Sequence, residues 1–338
     1  MWVTSSLTTA LVPTTVALGN FDGVHRGHQQ TIGQAIEAER SSKLNAIAPQ
    51  YEGSEYKGSE LVLGTRTRST CTPLERPKPV YPTVLTFNPH PQEFFSGQRR
   101  PLLTTPEEKA DRLAHLGIAQ LVLLPFDRDL ASLSPSEFVE QILVRQLQAK
   151  HISVGENFHF GKNRAGNAET LKAIAATYGI STTIVPLYRL SGDRVSSSLI
   201  RHALEQGEIE QANHLLGQAY TLTGMIVQGQ QLGRTLGFPT ANLQVLPDKF
   251  LPRWGVYGVR VDSPHATGWR GVLNIGCRPT VGGERPSIEV HLLDWEGDLY
   301  GQTLTLHLET FLRPEQKFAS LDALKAQIQQ DCDIVRSR

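Results

Sequence analysis

The sequence predicts an α/β chain in two parts, a parallel sheet flanked by helices and then a small antiparallel β-barrel closed by a terminal helix. Up to about residue 216, short apolar runs alternate with amphipathic stretches, as strands buried beneath helices do. Beyond it, β-like runs succeed one another between glycine and proline turns, which is the spacing of a barrel. The 338 residues also exceed the roughly 100–200 expected of one domain. The boundary is set near Gly217, giving segments 1–217 and 218–338.

Taken in order, Thr15–Leu18 (TVAL) is a strand and Gly27–Arg40 a helix. Thr83–Phe87 is the next strand. Pro106–Leu116 starts with proline and acids, as helix N-termini prefer. Gln120–Pro125 is a buried strand, Pro135–Ala149 a helix, His151–Val154 a strand, Asn167–Tyr178 a helix and Thr182–Val185 a strand. Ser196–Leu216 reads as one helix. The barrel strands are Tyr220–Val227, Gly255–Asp262, Arg270–Ile275, Ser287–Leu293 and Thr303–Leu308. Ser320–Ile334 closes the chain as a helix with Leu321, Leu324 and Ile328 on one face and Ser320 as N-cap. Residues 41–82, rich in Ser, Thr, Gly, Pro and charge and without a period, read as a flexible surface insertion.

Composition narrows the function. Lys plus Arg equals Asp plus Glu at 33 each, so no basic excess marks a nucleic-acid binder. No run approaches the ~18 apolar residues of a membrane span, and the first residues do not read as a signal peptide. Cys71, Cys277 and Cys332 are odd in number and far apart, which excludes a disulfide scaffold or a zinc cage and fits a reducing cytoplasm. Oligomeric state is not encoded legibly.

The run Gly19-Asn-Phe-Asp-Gly-Val-His-Arg-Gly-His28 joins a strand end to a helix start. Unpaired N–H groups and the dipole there attract phosphate. His25 and His28, three apart, face one side of the first turn, and Gly27 lets a phosphate approach the backbone. They are suited to donating to phosphate oxygens whose charge shifts during transfer. No GxxxxGK[ST] occurs, so this is not a P-loop.

This run resembles the nucleotidyltransferase signature of prokaryotic bifunctional riboflavin kinase/FAD synthetases. Thr86–Pro91 (TFNPHP), Val154–Gly161 (VGENFHFG), Arg164 with Gly166, and Val195–Arg201 (VSSSLIR) are similar to further segments of that family. Ser198 stands where the family usually has threonine. In the second part, Gly233–Asn242 contains the PTAN motif, Gly271–Thr280 resembles the flap over the nucleotide, and Glu289–Leu292 and Phe311–Glu315 complete the match. The resemblance implies a Rossmann-like nucleotidyltransferase domain followed by a riboflavin kinase barrel.

It also implies the site residues. In the first domain ATP falls to Gly19, Phe21, Asp22, Gly27, His28, Asn157, Arg164, Ser197, Ser198 and Arg201, with His25 and His28 catalytic. Flavin falls to Asn88, His90 and Phe160. In the barrel, Gly233, Gly237, Pro239, Thr240 and Asn242 take ATP and Mg²⁺, the metal on Thr240 and Asn242, whose neutral oxygens suit a hard cation. Asn274, Arg278 and Arg313 belong to the flap and flavin berth. Glu289, by pattern either a solvated residue or a base, becomes through the resemblance the base for the riboflavin 5′-hydroxyl. Phe158 reads as core, Phe126 stays open between core and site, and His291 reads as a packed barrel residue.

The implied function is two-step FAD synthesis, in which ATP phosphorylates riboflavin to FMN and then adenylylates FMN with release of pyrophosphate. Its partners are small molecules rather than nucleic acid or membrane. Two alternatives stay open on sequence alone: the same scaffold with one working site, or a non-catalytic flavin-binding regulator.

Overall fold

The structure is a computed structural model that describes residues 1–47, 78–190, 192–229, 233, 236–280 and 283–338. The N-terminal part begins with β1 (Trp2–Thr4) and β2 (Thr14–Leu18), then α1 (Arg26–Ile47), β3 (Tyr81–Asn88), α2 (Pro91–Ser96) and α3 (Pro106–His115). It continues with β4 (Gln120–Pro125), α4 (Arg128–Ser132), α5 (Pro135–Phe138), β5 (Ala149–Gly155), β6 (His159–Phe160), β7 (Gly166–Asn167) and α6 (Ala168–Thr177). After β8 (Ser181–Val185) come the short β9 (Arg189–Leu190) and β10 (Asp193–Arg194), then α7 (Ser197–Gln206) and α8 (Ile209–Leu216).

Six strands form one parallel sheet in the order β1-β4-β3-β2-β5-β8. β2 is central and every residue of it is buried, because a parallel sheet is covered on both faces. Alternation along the strands feeds two cores. Val16, Leu18, Leu85 and Val122 pack with Phe138, Leu143 and Leu171, while Ala17, Val84 and Leu121 pack with Ile32, Ala35 and Leu113.

The second part holds β11 (Tyr220–Val227), β12 (Ala241–Val245), β13 (Gly255–Asp262), β14 (Trp269–Thr280), β15 (Gly283–Leu292), β16 (Thr303–Pro314) and α9 (Leu321–Arg336). The strands close as an antiparallel barrel, β11-β12-β15-β14-β13-β16 and back to β11. Tyr257, Leu273, Ile275, Ile288 and Val290 fill its interior. On the outer surface Val256, Val272 and Leu293 lie under Cys332 and Val335 of α9. The Ser320 hydroxyl accepts from the Ala323 N–H as the expected N-cap.

The fold class is as the sequence predicts, with local corrections. Residues 41–47 of the expected insertion continue α1, and Tyr81 and Pro82 already belong to β3. Residues 48–77 lie outside the described ones. The single helix expected over Ser196–Leu216 is two, broken at Gly207, whose φ of 79° ends α7 in the left-handed region. Likewise Pro135–Ala149 is α5 running on as a π-helix over Val139–Gln146. Strands β1 and β12 were not anticipated: both are short, and each owes its place to a neighbour rather than to its own pattern. Although α7 and α8 precede Gly217, their Ile200, Leu204, Ile209 and Leu215 join the apolar cluster of the barrel.

Candidate active sites

A cavity of about 1520 Å³ opens where the loops leave the carboxyl ends of β2, β3, β4, β5 and β8, the usual ligand position in such sheets. Gly19, Phe21, Asp22, Gly27, His25 and His28 line it from the β2–α1 turn, and Asn157, Arg164, Ser197 and Ser198 from later loops. The two imidazoles stack 3.5 Å apart with a 16° interplanar angle, and Phe21 meets His28 edge-on at 5.3 Å.

Electrostatics make the pair neutral. Burial, aided by the Arg112 charge, lowers His25 to about 4. Burial and then His25 hold His28 well below the ordinary histidine value. His25 Nδ1 accepts from the His28 amide at 3.3 Å, so the His25 proton sits on Nε2. His28 Nδ1 is buried with no hydrogen-bond partner among the described residues. The arrangement supplies neutral N–H donors at a helix mouth. Behind the loop, Lys109 donates to the Asn20 carbonyl at 2.9 Å and Arg112 to that of Leu216 at 2.7 Å. Burial lowers both cations, Arg112 to about 9, which leaves Arg112 charged at neutral pH.

The expected flavin residues divide. Asn88 is exposed and away from the cavity lining, its carbonyl accepting from Phe126 N. His90 lines the cavity and caps α2, its Nδ1 accepting from Gln92 N at 3.1 Å, with burial and Arg100 lowering it to about 4. Phe160 is 5% exposed and stacks behind Phe158 at 5.7 Å, which is half-buried on the cavity wall. Phe158, read as core, thus lines the cavity instead, and so does Phe126, which the sequence left open, edge-to-face with Phe87, Phe94 and Phe95. The wall is therefore broader than Phe160. Its signal was present in the Phe94-Phe95 pair just after TFNPHP, and Arg100 was a further cavity residue the motifs did not name. Arg201 does not line the cavity, for its guanidinium is bound to Asp22 and Pro101.

In the barrel, register assembles the second site. Asn242 pairs with Glu289, Glu289 with Asn274, and Asn274 with Val256, so the polar three share one level and one face. Val256 shows that this is the outer face, under α9, because the interior positions Ile288 and Val290 alternate with Glu289. The half-buried Glu289 carboxylate accepts from Ser287 Oγ at 2.9 Å and from Thr240 Oγ1 at 3.3 Å. A Cβ on Gly233 would stand 2.3 Å from the Phe238 carbonyl, so the loop closes this tightly only with glycine. Gly237 and Pro239 follow in the same loop, and His291 Nδ1 bonds the Pro239 carbonyl at 2.8 Å, giving that histidine its packing role. Arg278 lies in β14 opposite Arg285. The Arg313 guanidinium grips both oxygens of the buried Asp331 on α9, with bonds of 2.8 to 3.2 Å. Sequence reasoning did not single out Asp331.

A helix mouth at the carboxyl edge of a parallel sheet, in one chain with a barrel bearing a carboxylate beside a hydroxyl and an amide, fits a two-site enzyme of phosphoryl- and nucleotidyl-transfer chemistry. The riboflavin kinase family matches residues 216–338, and the FAD synthetase family residues 8–54 and 69–199. The bifunctional riboflavin kinase/FMN adenylyltransferase of Pseudomonas fluorescens is 37% identical over 95% of this chain and 91% of its own length. That of Escherichia coli K12 is 37% identical over 94% and 90%. The chain belongs to this bifunctional family and carries both enzyme domains. A crystal structure described as a macrolide-efflux protein from Streptococcus pneumoniae superposes with a TM-score of 0.79 at 28% identity, covering 99% of this chain and 98% of that one. No helix among the described residues is long and apolar enough to cross a membrane.

Proposed function

We propose that the two FAD-forming steps run at the two sites described, each with its own ATP. In the barrel, riboflavin presents its 5′-hydroxyl to Glu289, which accepts the proton as the oxygen attacks the γ-phosphorus of ATP and ADP leaves. The hydrogen bonds from Ser287 and Thr240 aim that carboxylate. The Thr240 hydroxyl and the Asn242 carbonyl would hold Mg²⁺, a donor set that fits because this ion takes neutral oxygens together with water and phosphate. Bound there, it would neutralise charge on the phosphates. Arg313, clamped by Asp331, and Asn274 flank the flavin berth.

In the N-terminal cavity, a phosphate oxygen of FMN attacks the α-phosphorus of ATP and pyrophosphate departs. The neutral His25 and His28 donate N–H to the phosphates, and the α1 N-terminus adds its dipole. No covalent enzyme intermediate is needed, since positioning and charge stabilisation suffice. The isoalloxazine ring packs on the aromatic wall of Phe87, Phe94, Phe126 and Phe158. Both steps consume ATP, and the cytoplasm is the compartment that supplies it.

The observation that carries this reading is the coexistence of the Asn242–Glu289–Asn274 row and the stacked His25–His28 pair in one chain. Incubation of the protein with riboflavin, ATP and Mg²⁺ tests it. FMN is expected first, then FAD with one pyrophosphate per FAD. A product that stops at FMN, or no turnover, would overturn it.

A further inference from the structure

Arg201 lies on α7 with its side chain 12% exposed. Its guanidinium donates to the Asp22 carboxylate, to the Pro101 carbonyl at 3.0 Å and to the Ser197 carbonyl at 3.3 Å. A further neighbour comes from the barrel. The ring of Phe250, between β12 and β13, has its centroid 5.7 Å from the guanidinium carbon, within the range in which a poorly solvated cation gains from an aromatic face.

Asp22 ties this contact to the phosphate loop. Its Oδ1 accepts from Leu103 N at 2.9 Å and Thr104 N at 3.3 Å, its carbonyl accepts from Ser197 Oγ at 2.9 Å, and Gly23 N donates to Thr104 Oγ1 at 3.1 Å. Segment 101–105 is in turn laced to the barrel. Leu102 N donates to the Asp248 carbonyl at 2.6 Å, and Phe250 N to the Leu102 carbonyl at 2.9 Å. The wholly buried Lys249 donates to the Leu103 carbonyl at 2.8 Å and to Glu108 at 2.5 Å. Glu108 also accepts from Thr223 N of β11 at 3.1 Å. A buried ion pair contributes little net stability, and this one joins the two domains at the segment that holds Asp22.

We infer that the barrel segment carrying Lys249 and Phe250 is a strap that fixes the phosphate loop of the other domain, with Phe250 a positioning residue for adenylyl transfer acting through Arg201 and Asp22. The inference rests on the reading that the Gly19–His28 loop holds the ATP phosphates. It makes the kinase half a structural part of the adenylyltransferase site, and it gives Arg201 the task of bracing that loop.

The test uses the full-length protein, with FMN formation from riboflavin and FAD formation from supplied FMN measured separately. Phe250→Leu keeps the site apolar but removes the ring. It is expected to raise the KM for ATP in FAD formation about five- to tenfold, with a smaller change in kcat and with wild-type constants for FMN formation. Phe250→Tyr, which keeps a ring, is expected to restore the KM. Unchanged FAD kinetics in Phe250→Leu, a parallel fall of both activities, or failure of the Tyr variant to restore would each overturn the strap. His28→Ala in parallel separates the two claims. If it abolishes FAD formation while Phe250→Leu does nothing, the strap alone fails; if His28→Ala is also silent, the loop reading fails with it.

Discussion

In the barrel, Asn242, Glu289 and Asn274 meet because antiparallel register sets them side by side, and each is placed by its own strand. The N-terminal cavity instead gathers residues from the loops after five strands of the sheet. It depends on groups behind it: the buried charges of α3 and a segment of the other domain. A site written into a ladder needs little outside help. One assembled from loops needs bracing, and here the bracing comes from distant parts of the chain.

The sharpest way to break this comparison is to remove the barrel's carboxylate. Glu289→Gln keeps the shape and one of the two acceptor oxygens but cannot take a proton. Riboflavin phosphorylation should fall about 10²–10⁴-fold, measured as initial FMN release, with FAD formation from supplied FMN near wild type. Next in size, His28→Ala removes one donor and should lower FAD formation about 10²–10³-fold while phosphorylation continues.

Asp331→Asn probes the locality of the barrel site. Loss of the ionic clamp on Arg313 should raise the KM for riboflavin several-fold and cost about 1–3 kcal/mol of stability, read from kinetics and denaturant unfolding, with FAD formation spared. The smallest effect is spectroscopic. His25, lowered to about 4, should show no titration in NMR between pH 7.5 and 5.5 in the ligand-free protein. The unfolded chain binds a proton near pH 6.5 and the folded one only near 4, so stability should decline as pH falls through that window.

Much of this architecture was legible because it rests on local pattern. The apolar runs of β4 and β11 and the proline-led start of α3 gave those elements nearly to the residue. The GNFDGVHRGH and PTAN runs pointed to the centres of both candidate sites. What escaped depends on contacts across the chain. Glu108, Lys109 and Arg112 of α3 carry no local mark beyond helix formation, yet all three are buried, because the helix is pressed between the phosphate loop and the barrel. Asp331 and Lys249 look like ordinary surface charges until Arg313 and Glu108 reach them. Arg201 carried a phosphate-binding signature, but no local pattern could reveal that Asp22 and Phe250 already hold it.

The central claim is that two separable sites act in one chain, and a crossed product assay tests it most directly. Wild type, Glu289→Gln and His28→Ala are each given ATP and Mg²⁺ with either riboflavin or FMN, and the flavins are separated by chromatography. The account predicts FAD from FMN but not from riboflavin with Glu289→Gln, and FMN without FAD from riboflavin with His28→Ala. Loss of both products in either variant, with the fold intact, would contradict it.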